Sequence, residues 1–439
     1  MADPAGLRAQ AQDSIPLTFE EAVRVALENN PAYLRQVNAI ETAEQTERQT
    51  FGQAFLPSLT ASVDFGGGGS RNQNALDNFG QPIGGTEFVV SRSSSASQVL
   101  SGSLALFSLE NIRSYHAARA RTAAADAGAD YQAAVLRTDV GRAYFDAVRR
   151  RDLVDVERRG LETARENLSA IRSLLRIAAK DPTDVLGAEL ALARAEQSLN
   201  QAVGEARKAG LALKGAMGVA LDREHALATG FAEVFDPAVL DLAALLARAM
   251  GGSPRLAQQA ASVEAAERSV SAARAARLPS IGGSYSYSRS TDAEGFDAIG
   301  AFDLPNQRWR FGFGVDVPLF NRMGTSAAIE RAEIEGANAR ESLREAELTL
   351  ERELRVALID LENAYQGVRL AERSAEIARE RLAQGRERYR LGTIDYTALQ
   401  DMLNSVAQEE RGVSNALFTF TTALLTVEEK VGGPVTEPE

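Results

Sequence analysis

His116 and His225 are the only histidines in the chain, and neither is followed by a second ligand three or four residues on, the spacing that lets one helix face hold a metal ion. Solvated or packing positions fit both better than a metal site. No serine or threonine stands in a nucleophile motif. Cysteine is absent altogether, which removes disulfides, thiolate metal sites and a cysteine lipid anchor. The run GGGGSRNQN from Gly66 has the glycines of a phosphate-cradling loop, but it lacks the closing Gly-Lys-Ser/Thr and leads into no predicted helix. It reads instead as the start of a flexible polar loop. Most Asp and Glu residues lie opposite apolar seams, where charges form a solvated face. The residues therefore supply no catalytic, cofactor or metal site, and the protein is expected not to be an enzyme.

The elements that remain to explain are strands. From Ser58 to Phe65 the sequence SLTASVDF alternates polar and apolar residues, which gives a strand one greasy and one wet face. A second stretch sets Leu100, Gly102, Leu104 and Leu106 against Ser101, Ser103 and Ala105. A third sets Ile281, Gly283, Tyr285 and Tyr287 against serines and Gly282. In the fourth, Trp309, Phe311, Phe313, Val315 and Val317 alternate with Arg310, Gly312, Gly314 and Asp316, and the only tryptophan opens the strand where an interfacial aromatic belongs. Expected strands are 57–66, 97–107, 279–289 and 308–320, with polar loops at 67–95 and 290–307. Leu59, Val63, Phe65, Leu104, Leu106, Trp309, Phe311, Phe313 and Val315 are the predicted lipid-facing residues.

No window approaches the ~20 apolar residues of a membrane-spanning helix, so contact with a bilayer must use these strands. Four strands cannot close a barrel, since transmembrane barrels begin at about 8, and open edges in lipid are prohibitively costly. Three chains would supply twelve. The N-terminal MADPAGLRAQAQDS lacks the basic start and apolar core of a secretory signal. That suits either a cytosolic protein or a chain beginning near a processed end, and the strands favour the second. With 48 basic and 60 acidic residues, a net charge of −12 and no basic cluster, the chain is unsuited to binding nucleic acid.

The order of elements occurs twice. LTFEEAVRVALENNP at 17–31 returns as LDLAALLARAMGGSP at 240–254, Leu56-Pro57-Ser58 as Leu278-Pro279-Ser280, Leu106-Phe107 as Leu319-Phe320, and Gly218 as Gly432. Between Phe107 and Ala178, and again between Phe320 and Gly392, the spacing predicts helices of roughly 70 residues, about 100 Å long. Leu343, Ala346, Leu350, Leu354, Ala357, Leu361, Ala364 and Val368 begin a heptad seam on the second of these. Shorter helices are expected at 31–55, 183–216, 254–277 and 397–430, with hairpin turns at Asp181-Pro182 and Leu391-Gly392. The predicted organisation is a disordered segment 1–16, a first repeat 17–230, a second repeat 231–433 and a disordered tail 434–439.

LTFEEAVRVALENNP followed by LPSLTASVDF, the strand end VDVPLFNR, RYRLGTIDYTALQDMLNSVAQEE at 388–410 and its counterpart RIAAKDPTDVLGAELALARAEQSL at 176–199 carry a family resemblance. In linked order and in duplicate, they make the chain similar to the TolC family of outer-membrane efflux proteins over essentially residues 17–433. The resemblance implies a mainly α fold with a small β part. Three chains would close a twelve-stranded barrel in the outer membrane and a twelve-helix coiled-coil tunnel across the periplasm. It also implies partners: a periplasmic adaptor and an inner-membrane pump or ABC transporter, as in a tripartite efflux pump or type I secretion system. The chain departs from the pattern in having no signal peptide and no lipidated cysteine. By the same resemblance, Ile177, Ala178, Ala179, Leu391, Gly392 and Thr393 form adaptor-docking tips. Tyr389 and Asp401 match residues of a closed aperture, with Asp395 nearby, while Ala398 stands where an aspartate often lies. The competing expectation is a soluble coiled-coil scaffold, in which Leu59, Val63, Phe311 and Val315 would be buried against protein.

Overall fold

The computed structural model describes residues 15–73, 76–83, 88–176, 182–220, 225–228 and 230–435. In the first half, α1 (Phe19–Asn29) and α2 (Pro31–Phe55) lead into strands β2 (Ser58–Gln73) and β3 (Phe88–Ser108), then helices α3 (Leu109–Arg176) and α4 (Pro182–Met217). The second half repeats the order with α5 (Leu242–Gly252), α6 (Pro254–Ala275), β5 (Ser280–Glu294), β6 (Asn306–Asp316), α7 (Gly324–Arg390) and α8 (Tyr396–Val431). Two three-residue strands, β1 (Ile15–Leu17) and β4 (His225–Leu227), pair in parallel. Among the described residues no helix is long and apolar enough to cross a membrane.

The equivalent helix junctions use equivalent devices. Asn30 ends α1 by donating its N–H to the Ala26 carbonyl (2.7 Å), and its Oδ1 accepts from Ala32 N–H (2.8 Å) to start α2. Pro31 fits there because the first helical position needs no N–H donor. Ser253 and Pro254 occupy the same places between α5 and α6, with Ser253 N–H donating to the Ala249 carbonyl (3.0 Å). Gly218 and Gly432 end α4 and α8 with φ of 72° and 84°, the left-handed region that favours glycine.

The chain divides into two compact units, and each repeat supplies segments to both: Met1–Ile40, Ala124–Ala260 and Glu341–Glu439 form one, Glu41–Ala123 and Ala261–Arg340 the other. The first unit is mainly helical, with a smaller apolar core near the α7–α8 turn and two large ones. One joins Val23 and Ala26 of α1, Val140, Tyr144 and Val148 of α3, Leu213 of α4 and Leu425 of α8. The other follows the α7 seam through Leu350, Leu354, Leu361 and Val368 to Phe420 and Val427 of α8. Glu410 of α8 accepts from Arg159 of α3 (3.2 Å) and Arg379 of α7 (3.0 Å), tying the helix pairs together. The second unit holds an antiparallel sheet in the order β2-β3-β5-β6. Helix segments within this unit are joined by polar contacts such as Arg340–Glu267 (2.8 Å) and Arg274–Glu333 (2.7 Å).

Several expectations change. The described structure has β1 starting inside the segment 1–16 expected to be disordered, clipped to β4, and a three-residue strand has too little pattern to read. It also continues past 433, where Val435 N–H donates to Glu428 Oε1 (3.4 Å). The glycine run is strand: β2 extends to Gln73 and β3 starts at Phe88, so the first loop is shorter than 67–95, and β5 likewise runs to Glu294. Strand β6 stops at Asp316 rather than 320, since Pro318 has no N–H for a ladder.

Candidate functional site

The strand registers sort every side chain of the sheet to one of two faces. Leu59 lies opposite Gly102, Gly102 opposite Tyr285, and Tyr285 opposite Phe311. Parallel rows join Ala61, Leu100, Tyr287 and Trp309, and Leu104, Gly283 and Phe313. On the other face Ser58, Ser103, Ser284 and Gly312 form one row, and Thr60, Ser101, Ser286 and Arg310 another. One face is thus apolar and aromatic, the other mainly hydroxyl and glycine.

Among the described residues no element covers the apolar rows at β2 and β6. Leu59 is 73% exposed, Phe313 75% and Val315 66%, far outside the range of a soluble core. Large side chains instead shelter the gaps left by small neighbours: a Cβ on Gly102 would lie 3.0 Å from Leu59 Cδ2, and one on Gly283 3.4 Å from the Phe313 ring. Trp309 and Phe311 stack in parallel at 5.9 Å. Leu106 falls at a bulge between Ala105 and Phe107, and Phe107 takes the place opposite Ile281. Leu106 still serves the apolar face, with its Cδ1 3.7 Å from a Cβ built on Gly283. Phe65 is partly sheltered by Phe302 (ring centroids 5.9 Å apart), from the segment between β5 and β6 that also donates Ala298 N–H to Ser94 Oγ (3.0 Å).

At the α7–α8 turn, Gly392 has φ of 73°, its N–H donates to the Tyr389 carbonyl (3.0 Å), and Thr393 N–H donates to the Arg388 carbonyl (2.9 Å). Leu391, Gly392 and Thr393 are exposed, and no heavy atom lies within 4 Å of a Cβ built on Gly392. Ile177, Ala178 and Ala179 lie outside the described residues. Asp395 is the N-cap of α8, its carboxylate accepting from Ala398 N–H (2.8 Å). Asp401 is exposed, between one and two turns further along the helix.

Tyr389 is not grouped with those two aspartates. It packs with Tyr396 (ring centroids 6.3 Å apart), Leu168, Ile171, Val185, Ala188 and Leu192, so that α3, α4, α7 and α8 meet in one small core. Gly187 leaves room for the Tyr396 ring, 3.3 Å from where its Cβ would be. Burial pushes the Tyr389 hydroxyl up to about 12, with the Asp184 charge and Tyr396 adding to it, and burial with Asp184 raises Tyr396 too. Asp184 is not evident as a partner of Tyr389 in the sequence, because α4 belongs to the first repeat and α7 to the second; Tyr396 lies in the same repeat, across the α7–α8 turn.

A raised phenol pKa means that the fold favours the neutral ring. The stability this contributes is intact below the unfolded pKa of about 10 and is lost as pH rises toward about 12. Helical unfolding measured across that window should show a smaller alkaline loss in Tyr389→Phe than in the parent. Equal losses in the two proteins would mean that Tyr389 does not titrate in the packed tip.

Among the described residues no group of three or more His, Asp or Glu is placed to hold a metal ion.

A sequence model described as outer membrane efflux protein matches residues 22–219 and 245–433. No curated protein sequence matches the chain. Solved structures of similar fold include the Campylobacter jejuni CmeC outer membrane channel, with a TM-score of 0.72 at 16% identity over 96% of this chain and 87% of that one. The open state of the Neisseria gonorrhoeae MtrE outer membrane channel gives 0.69 at 21% identity over 94% and 89%. CusC gives 0.72 at 17% identity over 94% and 92%.

Proposed function

Because the chain belongs to the outer membrane efflux protein family, we propose that it is a trimeric outer-membrane channel. Its helical tunnel would be the exit duct of a tripartite efflux pump or type I secretion system. The observation that carries this is the sheet: one continuous apolar face is exposed, and edge strands β2 and β6 have no further partner among the described residues. Lipid satisfies the face, and neighbouring copies satisfy the edges. A soluble scaffold would have to cover Leu59, Val63, Phe311 and Val315 with protein, and no described segment does so.

In this reading the residues organise as the two repeats 17–230 and 231–433, and transport is passive, driven by the inner-membrane partner. Tyr389, Asp395 and Asp401 serve the aperture. Asp395 also caps α8, so Asp401 is the cleaner probe of charge. Reconstituted in a planar bilayer, the protein is expected to conduct, with a cation preference that falls in Asp401→Asn. A trimeric, inserted sample with no conductance would contradict the channel.

Leu391, Gly392 and Thr393, with Ile177, Ala178 and Ala179, form the surface for a periplasmic adaptor. Gly392→Asn separates docking from helix termination, since asparagine tolerates the left-handed backbone while adding bulk to an open surface. Export in cells with the matching adaptor and pump should fall at least tenfold in this variant with the trimer intact. Unchanged export would move the docking surface elsewhere.

A further inference from the structure

The two open edges of the sheet carry complementary residues. On the hydroxyl face of β6 stand Arg308 and Arg310, both exposed, and among the described residues neither has a hydrogen-bond or ion-pair partner within the chain. On the same face of β2 stands Asp64, whose Oδ2 accepts only from Ser62 Oγ (3.2 Å). Within the strands, edge β2 therefore offers an acid and edge β6 two bases on one side of the sheet, none with a partner of opposite charge among the described residues, while the acid of β6, Asp316, stands at its last position.

We propose that Arg310 of one copy pairs with Asp64 of the next across the β6–β2 junction, and that this ion pair sets the register in which three copies close the barrel. The inference rests on the trimeric-channel reading above. Only even offsets between β6 and the next β2 keep the apolar and hydroxyl faces continuous, because a one-residue slip reverses every side chain. Within the chain one row runs Ser58, Ser103, Ser284, Gly312. Continuing it from Gly312 to Ser62 of the next copy advances the register by about four residues per chain, or about twelve around the circle. With a rise of ~3.4 Å and strands ~4.8 Å apart, the strands then tilt by ~35°. Offsets of two or eight give ~20° or ~55°, outside the ~35–45° of such barrels, and six gives ~47°, at the upper edge of that range, so the strand ends and side-chain matches decide between four and six.

The chosen register also brings the last residue of β6, Asp316, opposite the first residue of β2, Ser58, so that both strands end together. It puts Arg310 opposite Asp64, and Arg308 opposite Gly66, which leaves space for the longer side chain. On the apolar face it places Trp309 beside Phe65, Phe311 beside Val63, Phe313 beside Ala61 and Val315 beside Leu59, so the greasy belt crosses the junction without a polar break.

The chain contains no cysteine, so an engineered pair reports one contact only. Residues directly opposite across antiparallel strands have Cα atoms ~4.5–5.5 Å apart, within disulfide range, whereas diagonal neighbours at ~7–8 Å are outside it. Oxidised in detergent, Asp64→Cys/Arg310→Cys is expected to give covalent dimers and trimers that collapse on reduction, and Asp64→Cys/Gly312→Cys to give few. Cross-linking through Gly312 instead overturns the register while leaving the trimer in place. A parent that is not trimeric by mass overturns the reading beneath it. As a second measurement, Asp64→Arg and Arg310→Asp should each lower the temperature at which the trimer dissociates in SDS, and the double exchange should restore it. A double variant no better than the singles overturns the ion pair.

Discussion

Phe313→Arg is expected to prevent assembly of the membrane-inserted protein, whereas Gly312→Ser, one residue away, is expected to be nearly silent. Phe313 is 75% exposed on the apolar face and covers the gap at Gly283. An arginine near the bilayer midplane costs about 2–4 kcal/mol, and in a symmetric assembly every copy bears that cost. A Cβ on Gly312 would meet only Ser284 Oγ, at 3.6 Å, on the hydroxyl face where a serine matches its neighbours. The measurement is the fraction of chain recovered as SDS-resistant oligomer from membranes. Equal recovery of the two variants would mean that the faces are assigned the wrong way round.

The second large effect lies in the helical unit. A Cβ at Gly218 would sit 2.5 Å from the Asn29 carbonyl oxygen, and one at Gly432 would strike the Gly252 carbonyl. Both glycines also have positive φ, which costs an L-residue roughly 1–2 kcal/mol before any clash. Gly218→Ala and Gly432→Ala should each destabilise the unit by about 2 kcal/mol or more, the range of substitutions that force backbone strain. Gly204→Ala on α4, with no heavy atom within 4 Å of the added Cβ, should be neutral or slightly stabilising. Thermal or denaturant unfolding followed by helicity distinguishes them; matching midpoints for all three would show that α4 and α8 do not end against α1 and α5 as described.

These glycines also show how much of the architecture is written locally. Their repetition 214 positions apart is visible in the sequence, but the reason is a contact with the end of a helix almost two hundred residues earlier. The same division holds elsewhere. Alternation places Phe311, Phe313 and Val315 on one face because a strand's period leaves no choice, and the α7 seam is legible for the corresponding helical reason. What periodicity misses is whatever depends on a distant partner. Gly66–Gly69 reads as loop from glycine's weak strand preference, yet it is strand, and Gly67 leaves space for Phe296 and Ile299 from a later segment. The β1–β4 clip is too short to carry a pattern. At the tip, the family motif points to Tyr389, while Leu168 and Ile171 of α3 and the helix bearing Asp184, which help to bury it, come from the other repeat. Asp395, named as a gate residue for its place near Asp401, has a local task as a cap that any helix start would need.

On the proposed function one chain is an incomplete channel, and the mass of the purified protein decides whether it is. Extracted in mild detergent and weighed by native mass spectrometry or light scattering, it should contain three chains, giving twelve strands and no open edge. A stable, water-soluble monomer that retains its strands would contradict the account, because the apolar face and both edges would then need neither lipid nor neighbours.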